Sequence, residues 1–90
     1  MTGISKRVEI TNKRGLHARS SAKFVSLAST LSTPVTVEKD GHAVVGTSIM
    51  GLMMLGAAMG DHVTISAEGD GAADAVKALA DLVESKFGEE

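Results

Sequence analysis

Val35-Thr36-Val37-Glu38-Lys39-Asp40-Gly41-His42-Ala43-Val44-Val45 is the stretch on which the fold turns. Val35 and Val37 alternate with polar residues, the two-residue period of a strand with one buried and one wet face. Asp40-Gly41 is a strong hairpin signal, because both central residues of the favoured tight turn need positive φ. His42–Val45 then reads as a short returning strand. Strands joined by so tight a turn run antiparallel.

Working outward, Ser32-Thr33-Pro34 precedes the hairpin and stops whatever lies before it, since the residue ahead of a proline is pushed out of the helical region. From Ala18 to Leu31, Ala18, Ala22, Phe24, Val25, Leu27, Ala28 and Leu31 recur at helical spacing. Lys13-Arg14-Gly15 is a turn. Arg7–Thr11 alternates as another strand, with Val8 and Ile10 on one face. On the other side of the hairpin, Gly46-Thr47-Ser48 leads into a short helix, Ile49–Leu55, for which Ser48 is a good N-cap. Gly56 ends it in the left-handed conformation that glycine adopts most easily. Val63, Ile65 and Ala67 alternate as a fourth strand, and Glu68-Gly69-Asp70-Gly71 turns the chain. Ala72–Phe87 is the clearest helix, with Ala72, Val76, Leu79, Leu82 or Val83, and Phe87 on its apolar stripe. Lys86 lies in its last turn and Gly88 just past it.

The element order is βαββαβα. Alternating strands imply a sheet wet on one side, hence an α+β fold in which a four-stranded antiparallel sheet carries three helices on one face.

The 90 residues are 43% hydrophobic and 22% charged, which suits one packed domain spanning residues 1–90. Phe24 and Phe87 are the only aromatic residues, so bases would find almost no faces to stack on and nucleic acid is not expected as a partner. There is no cysteine, which removes disulfides, thiolate metal sites and cysteine nucleophiles. His17, His42 and His62 share no ligand spacing, and neither metal nor cofactor is expected. Gly41 to Ser48 has the glycine spacing of a phosphate loop but lacks its lysine. Neither a Ser-His-Asp order nor a GxSxG elbow supports a hydrolase, so no stand-alone enzyme is indicated. The most apolar run, Ile49–Met59, is well short of the roughly 20 residues a membrane span needs. The opening MTGISKRVEI lacks the apolar core of a signal peptide. Both point to the cytoplasm.

Charge is unevenly spread. Residues 1–23 hold six basic residues and one acidic, a net +5, whereas residues 24–90 hold three basic and ten acidic, a net −7. A basic end this concentrated suits an anionic ligand or an acidic partner, although a solvated basic face explains charge alone as well.

Leu16-His17-Ala18-Arg19-Ser20-Ser21-Ala22 starts a helix directly after a basic turn. His17 falls at or just before the N-cap, beside backbone N–H groups without acceptors and the positive end of the helix dipole. That field disfavours the imidazolium and leaves a neutral, nucleophilic ring. The N–H groups of Ala18 and Arg19 form a ready anion site, and the Arg19 guanidinium can grip oxygens in a bidentate way. Such an arrangement suits a transient phosphoryl acceptor; the plainer reading is a histidine that only caps its helix. In Ser48–Gly56, Leu52 and Leu55 can point inward together. Ile49, Met50 and Met53 are then left outside as an apolar, adaptable docking surface.

Gly15-Leu16-His17-Ala18-Arg19, followed about thirty residues on by Ser48-Ile49-Met50-Gly51-Leu52-Met53-Met54-Leu55-Gly56, closely resembles the HPr family. These are the histidine-containing phosphocarriers of the bacterial phosphoenolpyruvate-dependent phosphotransferase system. The resemblance spans nearly the whole chain and implies an open-faced β-sandwich. It implies that enzyme I, charged by phosphoenolpyruvate, passes a phosphoryl group to Nδ1 of His17, which hands it to an EIIA protein. Arg19 then stabilises the phosphate, Ser48 matches a regulatory serine phosphorylated by HPr kinase/phosphorylase, and Ile49, Met50 and Met53 match the docking surface. The small size and transient role suit a monomer. One departure stands out: the family usually has Pro and often Ala after the arginine, where this chain has Ser20 and Ser21. Two other readings stay open, a nitrogen-type regulatory carrier and a non-catalytic binding module acting through Ser48 and the methionines.

Overall fold

A computed structural model describes residues 3–89 of the chain. The expected domain, residues 1–90, also takes in Met1, Thr2 and Glu90, which lie outside the described residues.

The hairpin closes as its residues dictate. Strands β2 (Val35–Lys39) and β3 (His42–Val45) pair antiparallel, with Lys39 opposite His42. Asp40 and Gly41 take φ of 52° and 84°, the two left-handed residues of a type I′ turn. Strands β1 (Gly3–Glu9) and β4 (His62–Glu68) complete one antiparallel sheet in the order β1-β4-β2-β3. Helices α1 (Ala18–Thr30), α2 (Ile49–Met54) and α3 (Ala72–Glu84) cover one face of it.

The inner face buries Val8, Val35, Val37, Val63, Ile65 and Ala67. Phe24 and Ala28 of α1, Leu52 of α2, and Ala75, Val76, Leu79, Ala80 and Val83 of α3 pack onto it in one continuous core. Each large aliphatic side chain removed from water contributes about 1.5–3 kcal/mol, so two-residue and 3.6-residue periodicities that agree on one interior are enough to hold the layers together.

Two boundaries and one burial pattern differ from the sequence reading. The first strand runs Gly3–Glu9 rather than Arg7–Thr11. Its early residues pair by backbone, Gly3 with Glu68 and Ser5 with Ser66, and bury no side chain that periodicity could detect. Ala18 is exposed in α1, whereas Ser20 and Ser21 are fully buried. The third helix stops at Glu84 rather than Phe87. Lys86 and Phe87 adopt φ of 62° and 55°, and this reversal turns Phe87 back into the core, where it is 1% exposed. A short 3-10 turn, Lys86–Gly88, results. No helix of the described residues is long and apolar enough to cross a membrane, and no cluster among them could hold a metal ion.

Candidate functional site

The loop between β1 and α1 is held by a glycine that no other residue can replace without movement. Gly15 has φ of 64°, and a Cβ there would lie 2.2 Å from the carbonyl oxygen of Ala57. That approach lets the Leu16 amide donate to the same oxygen at 2.9 Å. Leu16 is buried and His17 follows it as the N-cap, with extended φ and ψ of −91° and −174°. The buried leucine and the tight glycine together fix where the imidazole emerges.

Ser20 then locks the helix start. The His17 amide donates to Ser20 Oγ at 3.1 Å, and that hydroxyl donates to the Gly15 carbonyl at 2.7 Å. The Arg19 amide donates to Nδ1 of His17 at 3.3 Å. The serine thus satisfies the His17 amide while the imidazole satisfies an amide of the first turn, in the manner of a capping box. The family's usual proline would preset the backbone; here a buried hydroxyl bonds it in place.

The other ring nitrogen meets a residue from the far end of the chain. Nε2 lies 2.8 Å from Glu89 Oε2. The other carboxylate oxygen, Oε1, accepts from Asn12 Nδ2 at 3.1 Å, and Asn12 Nδ2 also donates to the Gly15 carbonyl. Asn12 is 1% exposed, whereas the side chains of His17 and Glu89 retain 15% and 16% exposure. A backbone N–H can only donate, so the Arg19 contact requires Nδ1 to be an unprotonated acceptor. A carboxylate can only accept, so Nε2 carries the hydrogen. Both contacts demand the same tautomer. Burial works against the charge of Glu89, but hydrogen bonds from Asn12 and His17 and the nearby charge of Lys23 outweigh it, and its carboxyl lies below the ordinary range.

The ring opens into a shallow cleft of about 240 Å³ lined by Lys13, Arg14, His17, Arg19 and Glu89. Lys13, Arg14 and Arg19 have no ion-pair partner among the described residues. Three cations and a helix N-terminus outweigh the single Glu89 carboxylate in this cleft and make it a place for an anion.

The second predicted constellation forms on α2, which packs against α1. Ser48 caps it as expected, its Oγ accepting from the Gly51 amide at 2.9 Å. Gly56 sits beyond the helix end with φ of 66°. Leu52 and Leu55 point into the core, while Ile49, Met50 and Met53 stay exposed, Met50 by 68%. Met54, Met59 and Val45 are exposed too, so the apolar surface is broader than the three residues singled out. The sequence reading missed Asn12 and Glu89 and took Ser20 only as a departure. Glu89 lies 72 positions from His17, and no local spacing signals such a contact.

Comparison with known proteins bears on this geometry. Residues 4–85 match the family described as "PTS HPr component phosphorylation site". The chain is 46% identical over 86 residues to the phosphocarrier protein HPr of Neisseria meningitidis, covering 96% of this chain and 97% of that protein. It is 37% identical over 89 residues to the phosphocarrier protein NPr of Shewanella violacea, covering 99% and 98%. It superposes on the crystal structure of HPr-C-His from Thermoanaerobacter tengcongensis with a TM-score of 0.88 and 53% identity, over 100% of this chain and 99% of that one. With the family's sheet and helix order in place and an imidazole set in a basic cleft at the first helix, the chain belongs to the HPr family of phosphocarrier proteins of the phosphotransferase system.

Proposed function

We propose that residues 1–90 act as one unit that accepts a phosphoryl group on Nδ1 of His17 from enzyme I, charged by phosphoenolpyruvate, and passes it to an EIIA protein. The observation that supports this most directly is Nδ1 accepting the Arg19 amide at the start of α1, in a cleft lined by Lys13, Arg14 and Arg19. Its lone pair forms a bond to phosphorus as the bond to the donor's leaving atom breaks, and that electron pair stays with the donor. The contact from the Arg19 amide is long, 3.3 Å, and is readily surrendered. The freed amide, the Ala18 amide and the Arg19 guanidinium then face the phosphoryl oxygens. Phosphoryl transfer is chiefly positioning and charge stabilisation, so this is nearly all the protein supplies, and it needs no cofactor. The chain works as a cytoplasmic monomer in this reading, and a solution mass twice the sequence mass would overturn that part.

The test is incubation with enzyme I and phosphoenolpyruvate. One acid-labile phosphoryl group is expected, absent in His17→Ala. Continued labelling of that variant would move the site elsewhere.

Ile49, Met50 and Met53 provide the docking surface, adaptable because methionine is flexible and polarizable, while the basic N-terminal third speeds encounter with acidic partners. Phosphorylation of Ser48 by HPr kinase/phosphorylase would add about −1.5 to −2 charge beside that surface at a helix N-terminus. The fold is expected to survive and docking to weaken. Unchanged transfer from enzyme I to Ser48-phosphorylated protein would refute this. The 37% identity to an NPr favours a nitrogen-type regulatory carrier as second reading. Faster charging by nitrogen-type enzyme I than by the sugar-uptake enzyme would select it.

A further inference from the structure

We infer that Glu89 is a positioning residue for His17, holding the tautomer that leaves Nδ1 bare and stabilising the positive charge the ring gains as Nδ1 bonds to phosphorus. The inference rests on the phosphocarrier reading and adds a residue to it. The geometry resembles a carboxylate–histidine pair of the kind that orients metal-ligating and catalytic imidazoles. Nε2–H points at Oε2 from 2.8 Å, on the side of the ring away from Nδ1. The carboxylate is therefore close to the proton that grows more acidic during transfer and farther from the phosphoryl oxygens. The Nε2 proton stays in the hydrogen bond throughout, and the only bonds exchanged are those to phosphorus.

Glu89 is held in place by a built strap. Lys86 and Phe87 take left-handed conformations, Phe87 is anchored in the core, and its carbonyl accepts from Lys23 Nζ at 2.8 Å. The Glu89 amide donates to the Lys86 carbonyl at 2.8 Å. Asn12, itself buried, grips the second carboxylate oxygen. Two non-glycine residues with positive φ are a cost the fold sustains only when surrounding contacts over-determine it. The consequence of that cost is the placement of a carboxylate on the imidazole.

The experiment compares the full chain with Glu89→Ala, Glu89→Gln and Glu89→Asp. Nitrogen-15 shifts of the neutral His17 ring read the tautomer; the initial rate of charging by phosphorylated enzyme I reads the chemistry. Wild type should show the Nε2–H tautomer. Glu89→Ala should show a mixture of both and a rate about tenfold lower, the scale at which such carboxylate partners act. Glu89→Gln should slow the rate while largely keeping the tautomer, and Glu89→Asp should restore part of it. An unchanged tautomer and rate in Glu89→Ala would overturn the inference. If wild type accepts no phosphoryl group, the phosphocarrier reading fails, and the ring shifts still decide whether Glu89 holds the tautomer.

Discussion

Helices α1 and α2 begin alike and differ in everything placed around their beginnings. Each opens on an extended residue whose side chain accepts an amide of the first turn, His17 from Arg19 and Ser48 from Gly51. At Ser48 the cap is satisfied locally and its neighbours are exposed apolar residues. At His17 the cap is half-buried among cations, and its second nitrogen is taken by a carboxylate from the end of the chain. A capping position is therefore only a location. What surrounds it differs because tertiary structure sets charge and hydrogen-bond partners at His17, whereas Ser48 keeps only its local cap beside exposed apolar side chains.

This contrast can be broken most severely at Gly15. Gly15→Ala puts a Cβ 2.2 Å from the Ala57 carbonyl at a left-handed φ. We expect a loss of at least about 2 kcal/mol of stability in urea unfolding, because strain and backbone collision add. The glycines around α2 do not combine both strains: Gly56 has positive φ but nothing near an added Cβ, whereas Gly46 would meet the Val35 side chain at 2.4 Å without a positive φ. Ser20→Ala removes a buried hydroxyl bonded to both Gly15 and His17. The expected cost is about 1–2 kcal/mol by the same measurement, with displaced amide resonances at His17. Ser48→Ala removes one part-buried cap from a six-residue helix, and the expected cost is about 1 kcal/mol or less. A larger effect at Ser48 than at Ser20 would reverse the comparison.

The smallest effect in stability follows pH. The Glu89 carboxyl lies below its ordinary value of 4.5 in the folded chain. A depressed value means that its contribution is present above pH 4.5 and is lost as pH falls through the lower folded value. The difference in melting temperature between wild type and Glu89→Gln should hold at neutral pH and shrink as the solution is acidified below that value. A difference that grew on acidification would contradict the sign. Met50→Glu should leave stability within about 0.5 kcal/mol, as an exposed surface change does, yet slow charging by placing negative charge on the proposed docking surface. Unchanged charging would remove Met50 from that surface.

Much of this was readable along the chain. Alternating Val35 and Val37, the Asp-Gly turn, the caps at His17 and Ser48, and the inward Leu52 and Leu55 are local patterns, and each appears in the fold where expected. Local patterns fail where a residue's role depends on a distant partner. Ser20 and Ser21 look like solvent-facing residues, yet neighbouring layers bury them completely. Phe87 continues the apolar stripe of α3, so the helix reads as reaching it; the core instead draws Phe87 in through a reversal that periodicity does not encode.

What the sequence alone determined is the set of elements, their antiparallel pairing and the histidine at a helix start, because strand alternation, turn chemistry and capping act within a few residues. What the tertiary structure decided is the partner of the second nitrogen of that histidine. That partner is Glu89, 72 positions away, brought to Nε2 only when Phe87 is buried. A contact between chain ends exists once the core has closed, and no short-range propensity announces it.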